Sequence, residues 1–308
     1  MLLVLSCAGT TRLSREGVDG LNSDTIINVR LIESAGPLID DRIVLMEPSD
    51  IAVNELGEIY ISDRGLNIIL KLSQNLEILS YQGGIGNGPG DFNRPSGIDH
   101  DAAMNLYVAD PGNQRIQILD RNLRPAKTLD AYFEKDGSSR KYNLPEDVAI
   151  DFEGNIWVAD DDRVLKINPF NELNLELSYS SIVGLDIGKA VSVAATGTGI
   201  IAIGDSGNRK IYVVSSYGNL ISEFQTGPIS SVTWEGKDII WISSQEMGTI
   251  SAYDIYGNRR FVFSDQNPGS RPVSIAIDNQ GEMIVVDRGL RKILRYEVIR
   301  SKAVKPER

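Results

Sequence analysis

The chain repeats one phrase six times, and that repetition constrains its fold more than any other feature. A short apolar strand, usually opened by proline, leads into a turn. A second apolar strand ends in Asp, and a Gly/Asn/Arg turn feeds a third. The clearest copy runs Pro95-Ser96-Gly97-Ile98, then Leu106-Tyr107-Val108-Ala109-Asp110-Pro111-Gly112-Asn113-Gln114-Arg115-Ile116. A period of roughly 40–50 residues made of short strands specifies a radial or solenoid array rather than one central sheet.

The units start at Pro48, Pro95, Pro145, Ala190, Ile229 and Pro272. Their first strands include Ile51-Ala52-Val53, Val148-Ala149-Ile150, Val193-Ala194-Ala195 and Ile275-Ala276-Ile277; their second strands include Glu58-Ile59-Tyr60-Ile61-Ser62-Asp63 and Asn155-Ile156-Trp157-Val158-Ala159-Asp160. Such β-branched and aromatic runs between turn residues fit a buried pleated surface. Proline at a strand start costs little, because its missing N–H is not needed there. Gly57, Gly154 and Gly281 sit between first and second strands, and Gly218-Asn219 and Gly257-Asn258 follow third strands, where hairpins need positive φ. Fourth strands such as Leu220 to Phe224 come next. The pattern predicts an all-β, six-bladed β-propeller of four-stranded antiparallel blades.

The last unit runs out of chain after three strands, ending near Lys292 to Val298, while the apolar stretch Ile26-Ile27-Asn28-Val29-Arg30-Leu31 precedes the first unit unpaired. That stretch is expected to complete the last blade, because closing the ring removes exposed sheet edges. The organisation expected is a signal-type segment at 1–7, a tether at 8–24, the propeller at 25–300 and a polar tail at 301–308.

Composition excludes several function classes. Asp plus Glu outnumber Lys plus Arg by 42 to 31, a net charge of −11, which disfavours a nucleic-acid partner, since phosphate backbones need a basic surface. One cysteine, Cys7, and one histidine, His100, exclude an intrachain disulfide and most zinc sites. Oxygen-ligated calcium stays open. The run Met1-Leu2-Leu3-Val4-Leu5-Ser6-Cys7 is too short to span a bilayer. It resembles the end of a bacterial lipoprotein signal, with Val4-Leu5-Ser6-Cys7 as lipobox. The resemblance implies lipidation at Cys7, a membrane contact through that anchor only, and a place in the cell envelope.

The wording of the units resembles the NHL-repeat family of six-bladed propellers. Asp110, Gly112, Asn113, Arg115 and Ile116 carry the match in unit two, and Asp205, Ser206, Gly207, Asn208, Arg209 and Ile211 repeat it in unit four. Unit three (Asp160-Asp161-Asp162-Arg163) lacks the Gly-Asn, and unit five (Ser244 to Thr249) lacks both Asp and Arg. The resemblance implies either a binding module or an enzyme. Related NHL lyases depend on zinc and on several histidines, which this chain lacks; metal-dependent lactonases share the six-bladed architecture.

Three sets of residues are candidates for chemistry. The Asp closing the second strand in five of the six units (Asp63, Asp110, Asp160, Asp205, Asp287) is read as structural, accepting hydrogen bonds from turn N–H groups and pairing with a following Arg or Lys. The third position of each unit reads Asp50, Gly97, Asp147, Ser192, Ser231 and Ser274. In a closed ring these six should surround one mouth of the central channel, with Glu146 beside them. Their carboxylates and hydroxyls are of the type that holds a polar ligand or calcium; otherwise no cofactor is expected. The loops entering the first strands supply Phe92, Arg94, Tyr132, Phe133, Arg140, Tyr142 and Arg271, residue types enriched at protein interfaces. His100 is expected to be a solvated turn residue on the opposite face. The function expected is a non-catalytic binding scaffold holding a protein or other ligand on its loop face. The alternative is a calcium-dependent, lactonase-like hydrolase at the channel mouth.

Overall fold

The computed structural model describes residues 25–36, 38–39, 43–180 and 185–301; the expected signal-type segment with Cys7, the expected tether at 8–24 and most of the tail lie outside them. Six four-stranded antiparallel sheets form the blades of a β-propeller. Blades one to five each run in chain order from the inside out, as in Pro48–Val53, Ile59–Asp63, Ile68–Leu72 and Ile78–Gly83 of blade one. Blade six takes Pro272–Ile277, Met283–Asp287 and Lys292–Arg300 from one end of the chain. Its outer strand is Ile26–Ala35, antiparallel to Lys292–Arg300 with Val29 opposite Val298 and Leu31 opposite Tyr296. The ring therefore closes as the sequence predicts.

Burial follows from stacking sheets face to face around an axis. The second strands of blades one, three and six are buried at every residue, because each face of a blade packs on a neighbour and a continuous apolar run satisfies both. Outer strands such as Leu220–Gln225 alternate exposed and half-buried residues, the pattern of a rim strand with one wet face. The core divides into one apolar cluster per blade interface. Ala52, Tyr60 and Ile69 of blade one meet Ile98, Leu106 and Val108 of blade two. Val273, Ile284 and Ile293 of blade six meet Ile51, Ile61 and Leu70 of blade one.

The aromatic residues of the long entry loops belong to this core. Phe92 is fully buried between blades one and two. Tyr132 and Tyr142, 5.5 Å apart between ring centres, are buried between blades two and three. Expected as surface anchors, these three instead fill the wedge-shaped gaps that widen between blades away from the axis. Phe133, Arg94, Arg140 and Arg271 stay exposed. Arg140 pairs with Glu134 at 2.8 Å and reaches Glu176 of the outer strand of blade three at 3.5 Å, which places the Tyr132–Arg140 hairpin at the outer rim rather than over the channel.

Candidate functional site: the central channel

The recurrent Asp residues hold the turns together. Asp63 accepts from the N–H groups of Met46, Glu47, Gly65 and Leu66 at 2.8–3.0 Å, and Asp205 does the same for Gly188, Lys189, Gly207 and Asn208. In blades two and three an arginine joins in: Arg115 Nε donates to Asp110 at 2.9 Å and Arg163 to Asp160 at 2.7 Å. Each carboxylate pins the loop entering its blade to the turn leaving the second strand, so the entry face is a rigid platform.

Inside the ring, the third-position residues form a belt of links between blades. Asp50 Oδ2 accepts from the Ile98 N–H of blade two at 2.7 Å, and its Oδ1 from Ser274 Oγ of blade six at 2.5 Å. Asp147 Oδ2 accepts from Ser192 Oγ at 2.8 Å and from the Val193 N–H of blade four at 2.9 Å. Ser192 Oγ accepts from the Val232 N–H of blade five at 3.0 Å, and Ser231 and Ser274 meet at 3.3 Å. Gly97 has no side chain to offer, and the link from blade two to blade three is made by Asp99, which accepts from the Ile150 N–H at 2.7 Å.

This belt lies at the waist of the channel, not at its mouth as the sequence suggested. Asp50, Asp147, Ser192 and Ser231 line both a cavity of ≈170 Å³ toward the ends of the first strands, which Ser274 also lines, and one of ≈310 Å³ toward the entry loops. Depth along the axis decides this: position three is the middle of a six-residue first strand such as Pro48–Val53. His100 is also not a solvated turn residue. It closes its first strand, lines the smaller cavity, and its Nε2 stands 2.9 Å from the Val53 carbonyl of blade one, so the N–H on that nitrogen donates across the blade interface.

Burial dominates the electrostatics of the waist. It raises Asp50 to about 6, against the opposing pull of the Ser274 and Ile98 donors. Burial, and then the nearby Asp50 charge, raise Asp147 well above the ordinary carboxyl range. Two buried carboxyls that influence each other in this way do not both ionise readily near neutrality. The same environment does not fit calcium. Both oxygens of each carboxylate already receive an N–H or O–H donor, and among the described residues no three acidic, His or Cys side chains come together as a metal cluster.

The wider, entry-side cavity holds the residues that the sequence pattern did not bring forward. Arg64 and Arg288 line it together with Ser49, Ser96, Glu146, Lys189, Ser206, Ser230 and Gln245. Arg64, Ser206, Gln245 and Arg288 occupy one repeat position, the residue after the last of the second strand. The tetrapeptide Asp-Arg-Gly-Leu recurs at Asp63–Leu66 and Asp287–Leu290, a signal that could have identified both arginines. Glu146, expected beside Asp147, turns to Arg64 and pairs with it and with Ser96.

Comparison with known proteins places this geometry. No family model matches the chain. NHL repeat-containing protein 3 from Homo sapiens is 44% identical over 78 residues, and its Mus musculus counterpart 42% over 78 residues, 24% of this chain in each case. This chain is a six-bladed β-propeller with a stretch similar to NHL repeat-containing protein 3. The NHL match spans only 22% of the length of each of those relatives. Among solved structures, streptogramin B lyase is similar with a TM-score of 0.56 at 16% identity, over 81% of this chain and 78% of that one. A catalytically inactive variant of virginiamycin B lyase from Staphylococcus aureus with quinupristin gives 0.63 at 13% identity, over 88% of this chain and 100% of that one. At such identities the likeness is one of fold: these structures and this chain are β-propellers.

Proposed function

We propose that this propeller is a binding module that holds its ligand, free or carried by a protein partner, in the entry-side mouth of the central channel. The observation that carries the reading is the ≈310 Å³ cavity with its charged and hydroxyl lining, set on loops that the Asp63-type turns hold rigid. That volume is within the range of small-ligand sites, and a rigid scaffold lowers the ordering cost of binding. Fold likeness to lyases gives no reaction, since propellers host unrelated functions. The acidic charge continues to argue against nucleic acid. A lipid tether through Cys7 belongs to the same proposal; loss of fatty-acid labelling in Cys7→Ser checks it.

The test is to plug each end of the channel separately. Full-length protein is screened by thermal shift against a panel of small metabolites and peptides. Shifts abolished by Ser206→Trp and retained in Ala195→Trp, which fills the opposite cavity, support the entry mouth. Shifts indifferent to Ser206→Trp overturn it.

One observation favours a second reading. A pair of carboxyls with raised affinity for protons, as at Asp50 and Asp147, is what acid–base hydrolysis uses. Turnover of lactones or esters by the wild type that Asp50→Asn abolishes would establish it. The hydrogen bonds that commit both side chains to neighbouring blades make the structural role the stronger one.

A further inference from the structure

Deepening the reading of the entry mouth as a binding site, we propose that its ligand is a small oxyanion, a carboxylate, phosphate or sulfate group, gripped between Arg288 and Arg64 with Lys189 facing them. The chain as a whole carries −11, yet this mouth sets three cations against three carboxyls. Arg64, Lys189 and Arg288 line it, against Glu146 at the wall and the Asp50/Asp147 pair at the waist below.

Arg288 is the centre of the argument. It is half-buried, and among the described residues it makes no ion pair. Its Nε donates to the Pro48 carbonyl at 3.1 Å and its Nη1 to Gln245 Oε1 at 3.4 Å, both neutral acceptors that fix the guanidinium without neutralising it. Burial, and then the charge of Arg64, disfavour its protonated form, against a smaller opposing pull from Glu47 and Asp63, neither of which pairs with it. A cation held in place beside another cation, with no carboxylate of its own, is stabilised by an anion from solution. Arg64 has one carboxylate, Glu146, on Nη2, while its buried Nε has no hydrogen-bond partner. The two arginines come from adjacent blades, six and one, at the same repeat position, so their planar forks open onto one space. Guanidinium groups suit carboxylate, phosphate and sulfate oxygens, which can take two parallel N–H donors. Ser206, Ser230 and Gln245 supply neutral polar atoms around the same cavity. Glu146 sets the orientation of Arg64 and discourages a second anion.

The experiment is calorimetric titration of the full-length protein with sulfate and, separately, with acetate, at constant ionic strength held by chloride. Sulfate stands for the tetrahedral class and acetate for the planar one; the tighter binder names the class. Saturable binding of at least one is expected. Arg288→Gln should weaken it by roughly ten-fold or more, the effect of removing a charged hydrogen-bond donor, and Arg64→Gln should weaken it comparably. Arg259→Gln, an equal charge change on the outer strand of blade five, should change it less than about two-fold, as expected of a remote, screened charge. No saturable binding of either anion, or equal weakening by Arg259→Gln, overturns the proposal. If anions fail while uncharged members of the metabolite panel still give shifts sensitive to Ser206→Trp, the binding mouth stands and only its anionic class falls. Thermal melts of each variant, expected within a few degrees of wild type, separate lost binding from lost folding.

Discussion

Asp147 occupies the space that a side chain at Gly97 would need: a methyl group built on Gly97 would stand 1.9 Å from Asp147 Oδ1 and 2.4 Å from the Asp147 Cα. Blade two gives up its third-position side chain so that the carboxylate of blade three can lie against its backbone. The Gly97 N–H in turn donates to the Glu146 carbonyl at 2.9 Å. The missing side chain is thus part of how the belt of links passes around the ring.

Gly97→Ala should therefore be among the most damaging small substitutions in the chain. The clash involves backbone as well as carboxylate, so neighbouring blades must separate, at a cost of about 2–3 kcal/mol or more, typical of overpacking. Gly197→Ala is the matched control: nothing lies within 4 Å of a Cβ there, and its effect should be within about 0.5 kcal/mol. Urea denaturation of both variants checks the contrast.

The waist carboxyls give stability an unusual pH dependence. Asp50 and Asp147 hold protons more tightly folded than unfolded, so unfolding releases protons, and their contribution is fully present below the ordinary carboxyl value of 3.8. It declines as the pH rises through about 6, and for Asp147 the decline continues further. Asp50→Asn, whose amide can still accept from Ile98, should lose the part of this slope that Asp50 carries and reduce, without abolishing, the part from Asp147, whose first cause is burial. Equilibrium unfolding of wild type and variant between pH 4 and pH 8 would show the two curves converging in acid and separating toward neutrality, with the variant relatively more stable there.

Much of this was legible in the sequence, and the exceptions have physical causes. Strand order and ring closure followed from apolar runs and turn residues, because those features act locally and the blade stacks only one way. The position of Asp50 and Asp147 along the channel axis did not follow, since periodicity gives the angle around a ring but not the depth within it. Phe92, Tyr132 and Tyr142 were misplaced because composition does not say whether a loop aromatic points out to solvent or back between two sheets. Arg64 and Arg288 passed unremarked because an arginine after Asp in a turn looked like the Asp's own partner. The turn N–H groups satisfy Asp63 and Asp287 instead, which frees both arginines for the channel.

Ring closure is testable by removing the closing strand. Deleting residues 25–32 strips most of the partner from Lys292–Arg300 and uncovers a sheet edge. The whole ring should lose stability, visible as a lower melting temperature and as rapid trypsin cleavage spread over several blades. Cleavage confined to the ends of blade six would mean that the strand is dispensable.

Tyr132 and Phe133, adjacent in sequence, should behave oppositely. Tyr132 is fully buried in the interface between blades two and three, while Phe133 is 45% exposed. Tyr132→Ala should cost about 3 kcal/mol or more, as for other large-to-small changes at buried aromatics, whereas Phe133→Ala should cost under about 1 kcal/mol. Denaturation midpoints compared at constant m-value decide between them.

The most direct measurement is a crystal structure of the full-length protein soaked with the strongest binder from the metabolite and peptide panel. The account predicts difference density in the entry-side mouth, in contact with Arg64 and Arg288 and above the belt of Asp50, Asp147, Ser192 and Ser274. Density in the smaller cavity beside His100 and Trp234, or on the outer rim of the blades, would contradict it.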